Sequence, residues 1–136
     1  MSRRIILFHS LDHARAAVAA ASELDVPFTL QSAPGAAAYA GVGFLKAVAD
    51  EALGDGDIEA VIDCGEDAGT ALAALRASWV RVVFSGPPDM LEKLADIAAQ
   101  QGARVVGGGA EAAALDLLDV ADPLAACRDF LGREMN

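Results

Sequence analysis

Val80-Arg81-Val82-Val83-Phe84-Ser85-Gly86-Pro87-Pro88-Asp89 carries the pattern that decides the fold. A β-branched run comes first. A small polar hinge follows, then prolines and an acid that suit the first turn of a helix. The same order recurs along the chain. Ile5-Ile6-Leu7-Phe8 runs into His9-Ser10, Val26-Pro27-Phe28-Thr29-Leu30 into Gln31-Ser32, and Ile58-Glu59-Ala60-Val61-Ile62 into Asp63-Cys64-Gly65. Arg104-Val105-Val106 runs into Gly107-Gly108-Gly109. Strands alternating with alanine-rich helical stretches predict βαβ units. The expected fold class is α/β: a single domain over residues 1–136 with a mostly parallel sheet of five or six strands. An open, doubly wound sheet is the first arrangement and a partial (βα) barrel the second.

Local signals punctuate these units. Ser10 suits an N-cap with Asp12 in the first turn, and the helix then runs to about Leu24. Ala17, Ala20, Ala21 and Leu24 follow helical spacing and should face the sheet. Pro27 lacks an amide donor, so the second strand should be an edge strand or start late. Gly41 and Gly43 weaken any helix they interrupt, so the helix there should be firm only from Val42 to Leu53. The next helix is expected from Glu66 to Ala77, and Trp79 should open the fourth strand. Gly102 fits the position just beyond a helix end. Leu115 to Val120 reads as a sixth strand first or as the end of a helix. Asp122-Pro123 then opens a last helix that packs through Leu124, Cys127 and Leu131.

Composition excludes several partners. The net charge of −10 repels phosphate backbones and anionic membranes, and aromatics at 5% leave few platforms for bases. Neither nucleic acid nor a membrane is an expected partner. No apolar run approaches the roughly 18 residues of a membrane span, and Arg3-Arg4 precedes too short a run for a signal peptide. A cytoplasmic protein is the expectation. The two cysteines, Cys64 and Cys127, stand in no zinc-ligand spacing and read as reduced thiols. His9 and His13 straddle the expected cap, so a metal site is not expected.

Parallel sheets bind ligands at the carboxyl ends of their strands. The residues just after the strand runs are therefore the candidates. His9 is an acid–base candidate at the tip of strand one. Asp63 and Cys64 stand at the tip of strand three, where a carboxylate supplies a general base. Those three form the candidate catalytic set. Ser10, Ser32, Glu66, Ser85, Gly86, Gly107, Gly108 and Gly109 form the candidate ligand-binding set. Glycine amides beside a helix N-terminus favour a phosphate or carboxylate. Glu66 and Asp67 also suit a helix start by charge alone.

The glycine-rich ends on two successive strands, Ser85-Gly86 and Gly107-Gly108-Gly109, are similar to the phosphate site of many (βα)₈ barrels. Comparison with phosphoacceptor receiver domains fails, because His9-Ser10 and glycines stand where that chemistry needs acids and a lysine. No GxGxxG follows the first strand and no GxxxxGK[ST] occurs, so no cofactor is named. No strand carries a lysine for a Schiff base. The first expectation is thus a small-molecule-binding domain whose ligand bears a phosphate or carboxylate. The alternatives are a lyase or isomerase using His9 and Asp63, and a protein-interaction domain without ligand. Apolar, alanine-rich helices and open strand edges predict a homo-oligomer, a dimer first.

Overall fold

The computed structural model describes residues 4–54, 56, 58–108 and 114–133. In chain order its elements are β1 (Arg4–Phe8), α1 (Leu11–Leu24), β2 (Phe28–Ser32), α2 (Ala36–Ala40), α3 (Val42–Leu53) and β3 (Glu59–Asp63). They continue with α4 (Ala68–Arg76), β4 (Arg81–Phe84), α5 (Pro88–Ala99), β5 (Arg104–Gly107), β6 (Ala114–Asp116) and α6 (Pro123–Gly132). The strands form one sheet in the order β5-β4-β3-β2-β1-β6, and every pair is parallel.

This order selects between the two windings. Each step from β1 to β5 moves one strand over in the same direction. Right-handed crossovers then place every connecting helix on one face. The packing agrees: α1 lies between α6 and α3, α3 meets α4, and α4 meets α5. β6 returns to pair with β1, as the last strand of a barrel does. The arrangement is therefore the partial barrel, the second of the two that the sequence allows.

The two faces differ in cover. Ile6, Phe8, Leu30, Ile62, Val82 and Phe84 share one face by register, and each is at most 1% exposed. Small helix residues meet them: Ala14, Ala17 and Ala20 from α1, Ala71 and Ala74 from α4, and Ala98 from α5 are fully buried. Large strand side chains against alanine let the helix backbones lie close to the sheet. The opposite face carries Ile5, Leu7, Gln31, Asp63, Arg81 and Val83, each half-buried, and Thr29 and Val61, which are buried. The helices α1, α3, α4, α5 and α6 leave this face open.

Local chemistry sets most boundaries. Ser10 caps α1, its Oγ accepting the His13 amide at 3.2 Å. Asp122 caps α6 through the Ala125 amide at 3.1 Å. Pro27 delays β2 to Phe28, and β2 is an interior strand, so late starting rather than edge placement absorbs the missing donor. Gly41, at φ 92°, separates α2 from α3. Three expectations are corrected. α4 begins at Ala68, because Asp67 turns its carboxylate onto the Thr70 amide as the cap instead of joining the helix. Trp79 precedes β4 and is buried, its indole N–H donating to the Val42 carbonyl at 3.0 Å. β6 ends at Asp116, whose Oδ1 accepts the Leu118 amide and turns the chain away from the sheet. The guanidinium of Arg4 donates to the carbonyls of Leu131 and Arg133, tying the start of β1 to the end of α6.

Candidate functional site

Side-chain alternation along the strands sorts the candidate residues between the two faces. Leu7, Asp63, Val83 and Asp116 lie on the open face, opposite in sense to Phe8, Ile62 and Phe84. Just beyond the strand ends, His9 and Ser85 continue the same alternation. Contacts confirm both placements. His9 Nε2 lies 2.7 Å from Asp116 Oδ1. A Cβ added to Gly108 would come within 2.1 Å of Ser85 Oγ and 3.4 Å of Val83 Cγ1. So His9, Asp63, Ser85, Gly108 and Asp116 occupy one face at one edge. Leu7, Val61 and Val83 make an apolar floor beneath them, and Gln31 on β2 stands between the ends of this row.

The first cluster spans β1, β6 and the start of α1. The His9 side chain is 16% exposed and Asp116 is 49% exposed. Burial pushes the Asp116 carboxyl up, but the Leu118 amide, the His9 ring and the nearby histidine charges outweigh it and hold it below its usual value. The His9 amide donates to His13 Nδ1 at 3.1 Å, which leaves the proton of a neutral His13 on Nε2. The two rings meet edge to face, 5.7 Å between centroids. Burial and then the charge of His9 lower the His13 pKa, against Asp116 and Asp12. The cluster therefore holds one imidazole against a carboxylate, which orients the ring it bonds, with a second imidazole edge-on beside it.

The second cluster spans β3, β4 and β5. Asp63 Oδ1 accepts the Gly65 amide at 2.9 Å and closes a tight turn, with Gly65 at φ 58°. The Gly65 carbonyl in turn accepts the Ser85 amide at 2.7 Å. The tips of β3 and β4 are thus stitched together, with Gly108 packed against Ser85. Three interstrand spacings, about 14 Å along the sheet, separate the tip of β1 from that of β4.

The remaining candidates face elsewhere. Ser32 is fully buried, and its Oγ accepts the Asp63 amide at 2.9 Å, extending the β2–β3 pairing by one bond. It is a pairing residue and not a ligand contact. Cys64 is 6% exposed, and burial, then Asp63 and Asp67, raise its thiol pKa to about 12. A thiol held protonated in this way is no nucleophile. Gly86 and Gly107 turn toward the helix layer: an added Cβ would strike the Phe84 ring at 2.3 Å or meet Leu91 at 3.6 Å. Ser10 is occupied as the α1 cap, and Glu66 is exposed beyond the turn. Gly109 lies outside the described residues. The expected anion seat after β4 is also corrected. The Ser85 amide is engaged, Pro87 and Pro88 carry no N–H, and Asp89 brings a carboxylate to the first turn.

Asp116 is the member of this site that the sequence does not reveal. Asp116 sits 107 residues from His9, and only the return of β6 to β1 joins them. His13 was set aside because helical spacing to His9 fails; the contact uses the His9 backbone instead. Among the described residues no group of three or more His, Cys, Asp or Glu is placed to hold a metal ion. A cleft of about 400 Å³ lies at the other end of the sheet, beside the amino ends of β3 and β4.

No protein-family model matches the chain, and no curated protein matches its sequence. A solved structure does share the fold. It is that of a protein from Coccidioides immitis provisionally described as a fructose-1,6-biphosphate aldolase, 18% identical with a TM-score of 0.65. The match covers 78% of this chain and 45% of that one, so this chain spans less than half the length of its neighbour. At that identity the likeness concerns the α/β fold. No helix among the described residues is long and apolar enough to cross a membrane.

Proposed function

We propose that the carboxyl edge of the open sheet face binds a small molecule. One observation carries this reading: His9, Asp63, Ser85, Gly108 and Asp116 stand on the same face at the same edge, above the apolar side chains of Leu7, Val61 and Val83. A few convergent polar groups over an apolar floor is the composition of a ligand site. The carboxyl edge is also where sheets of this winding bind ligands. Asp63, Asp116 and Gln31 favour hydroxyl groups as donors to them. An anionic group on the ligand finds a hydrogen-bonding ring in His9 and a hydroxyl in Ser85. A hydroxylated molecule carrying at most one phosphate or carboxylate fits these groups. Thermal-shift and calorimetric titration with a polyol, a sugar monophosphate and inorganic phosphate tests the reading. Binding of the first two that is lost in both His9→Asn and Asp63→Asn supports it. Equal binding by the parent and both variants overturns it.

The His9–Asp116 contact favours a second reading, a lyase or isomerase in which His9 moves a proton. Asp116 holds the ring by Nε2 at 2.7 Å and stabilises the imidazolium that forms. Exchange of a substrate carbon-bound proton with solvent deuterium, absent in His9→Asn, is the measurement that separates this reading from binding alone.

A further inference from the structure

The two ring nitrogens of His9 stand in different surroundings. Nε2 lies 2.7 Å from Asp116 Oδ1. That carboxyl is held below its usual value and is ionised at neutral pH, so it accepts and Nε2 donates. The lone pair of a neutral His9 is therefore on Nδ1, which makes no hydrogen bond among the described residues. The side chain is 16% exposed, so the ring is open in part to solvent. His13 is the opposite case. Its Nδ1 lone pair accepts the His9 amide at 3.1 Å, which leaves the proton of its neutral ring on Nε2. Of the chain's two histidines, one offers a free lone pair and the other does not.

We propose that His9 Nδ1 is a phosphoryl-accepting nucleophile, taking the group from a small donor of the phosphoramidate or acyl phosphate class. The Nδ1 lone pair forms the N–P bond as the bond from phosphorus to the leaving group breaks. The leaving group departs with that electron pair, as ammonia from protonated phosphoramidate or as carboxylate from an acyl phosphate. Asp116 stabilises the imidazolium that forms, and the Nε2 proton then passes to solvent. Asp116 is thus a positioning residue: it fixes the tautomer that exposes Nδ1. His9 also stands one residue before the Ser10 cap, and the first-turn amides of Leu11 and Asp12 have no acceptor within α1. That helix end favours the phosphoryl oxygens, while the carboxylates of Asp12 and Asp116 oppose them. The assignment rests on the His9–Asp116 contact and not on ligand binding across the sheet edge.

The full chain is incubated with potassium phosphoramidate at neutral pH, folded and in urea. Intact mass counts the phosphoryl groups, and peptide mapping in alkali, where phosphohistidine survives, locates them. The expected result for the folded chain is one group, on His9, with phosphorus NMR placing it on Nδ1. In urea both histidines should react at similar rates. Asp116→Asn should slow the His9 reaction about tenfold. Nitrogen NMR should show the neutral His9 ring protonated on Nε2 in the parent and shifted toward Nδ1 in that variant. Four results overturn the proposal: no adduct on the folded chain while the urea-treated chain reacts, an adduct on His13 instead, an adduct on His9 Nε2, or a His9 rate no faster folded than in urea. Titrations with a polyol or a sugar monophosphate read a separate property, so binding at the sheet edge stands or falls independently.

Discussion

Two glycines that look alike in the sequence differ sharply in what they hold apart. Gly86 approaches the ring of buried Phe84, where an added Cβ would stand 2.3 Å from Cζ. Gly107 leaves 3.6 Å to Leu91, an ordinary contact. We expect Gly86→Ala to lower unfolding stability by about 1–3 kcal/mol, the cost of overpacking a filled core. Gly107→Ala should cost less than half as much. Urea denaturation of both variants checks the ranking, and equal losses would refute the close approach. The thiols give a second expectation. Burial raises the pKa of Cys127 to about 11, and that of Cys64 to about 12. Native protein at mildly alkaline pH should resist iodoacetamide at both positions and react at both in urea, read by intact mass. At this scale the sequence shows that His9 and Asp63 stand at strand ends, because each directly follows an apolar strand run. It concealed that Ser32 and Cys64 face the core, since alternation becomes readable only when the register is known. Their neighbours in sequence, Gln31 and Asp63, turn the other way for the same reason.

At the scale of an element, capping chemistry was the most legible signal. Ser10 and Asp122 cap as their positions suggest, and Pro88 sits at the first turn of α5. Ser10→Ala should cost about 1 kcal/mol, the usual loss of an N-cap. It also removes the acceptor of the His13 amide, so its effect extends to the histidine cluster. That cluster ties α1 to pH. His13 accepts the His9 amide only when neutral, and burial with the charge of His9 lowers its pKa in the folded chain. The unfolded chain then holds more protons than the folded one below the ordinary histidine value of about 6.5. Stability is complete above that pH and declines as pH falls through it toward the lower folded value. Urea midpoints at about pH 7.5 and about pH 5.5 should differ in the parent and differ less in His13→Gln. The Asp116 carboxyl, also lowered, loses its contribution in a separate window, below the usual carboxylate value of about 3.9. Boundaries were less legible where a side chain serves as a cap. Asp67 and Asp116 read as helix or strand residues by pattern, yet each commits an oxygen to a backbone amide, Asp67 as the cap that opens α4 and Asp116 at the end of β6.

At the scale of the molecule, βα alternation announced a parallel sheet, while strand order remained hidden. Nothing local distinguishes a crossover that moves one strand left from one that moves right, so one-faced and two-faced windings share a sequence pattern. The choice rests on β6 returning to β1, a contact between the two ends of the chain. Among the described residues that winding leaves β5 and β6 as the sheet edges and one sheet face that α1, α3, α4, α5 and α6 do not cover. Val106 shows what this exposes: it lies on edge strand β5, on the open face, with 48% of its surface in water. Exposed edge strands invite pairing with another chain. Arg104 on the same strand and face is also exposed, and Asp116 on β6 is of opposite sign, so the two edges are complementary between copies. We expect the protein to self-associate through these edges, giving a mass of twice 13.9 kDa by light scattering. Val106→Lys places a charge on the apolar edge and should return the mass to 13.9 kDa without unfolding the sheet. Arg104→Glu should do the same by repelling Asp116 of the second copy. The net charge of −10 opposes association, and added salt screens it over about 8 Å at physiological strength. Association driven by the apolar edge should therefore strengthen as salt rises, whereas association held mainly by Arg104 and Asp116 should weaken. A parent that stays at the monomer mass at high protein concentration and high salt rejects edge pairing altogether.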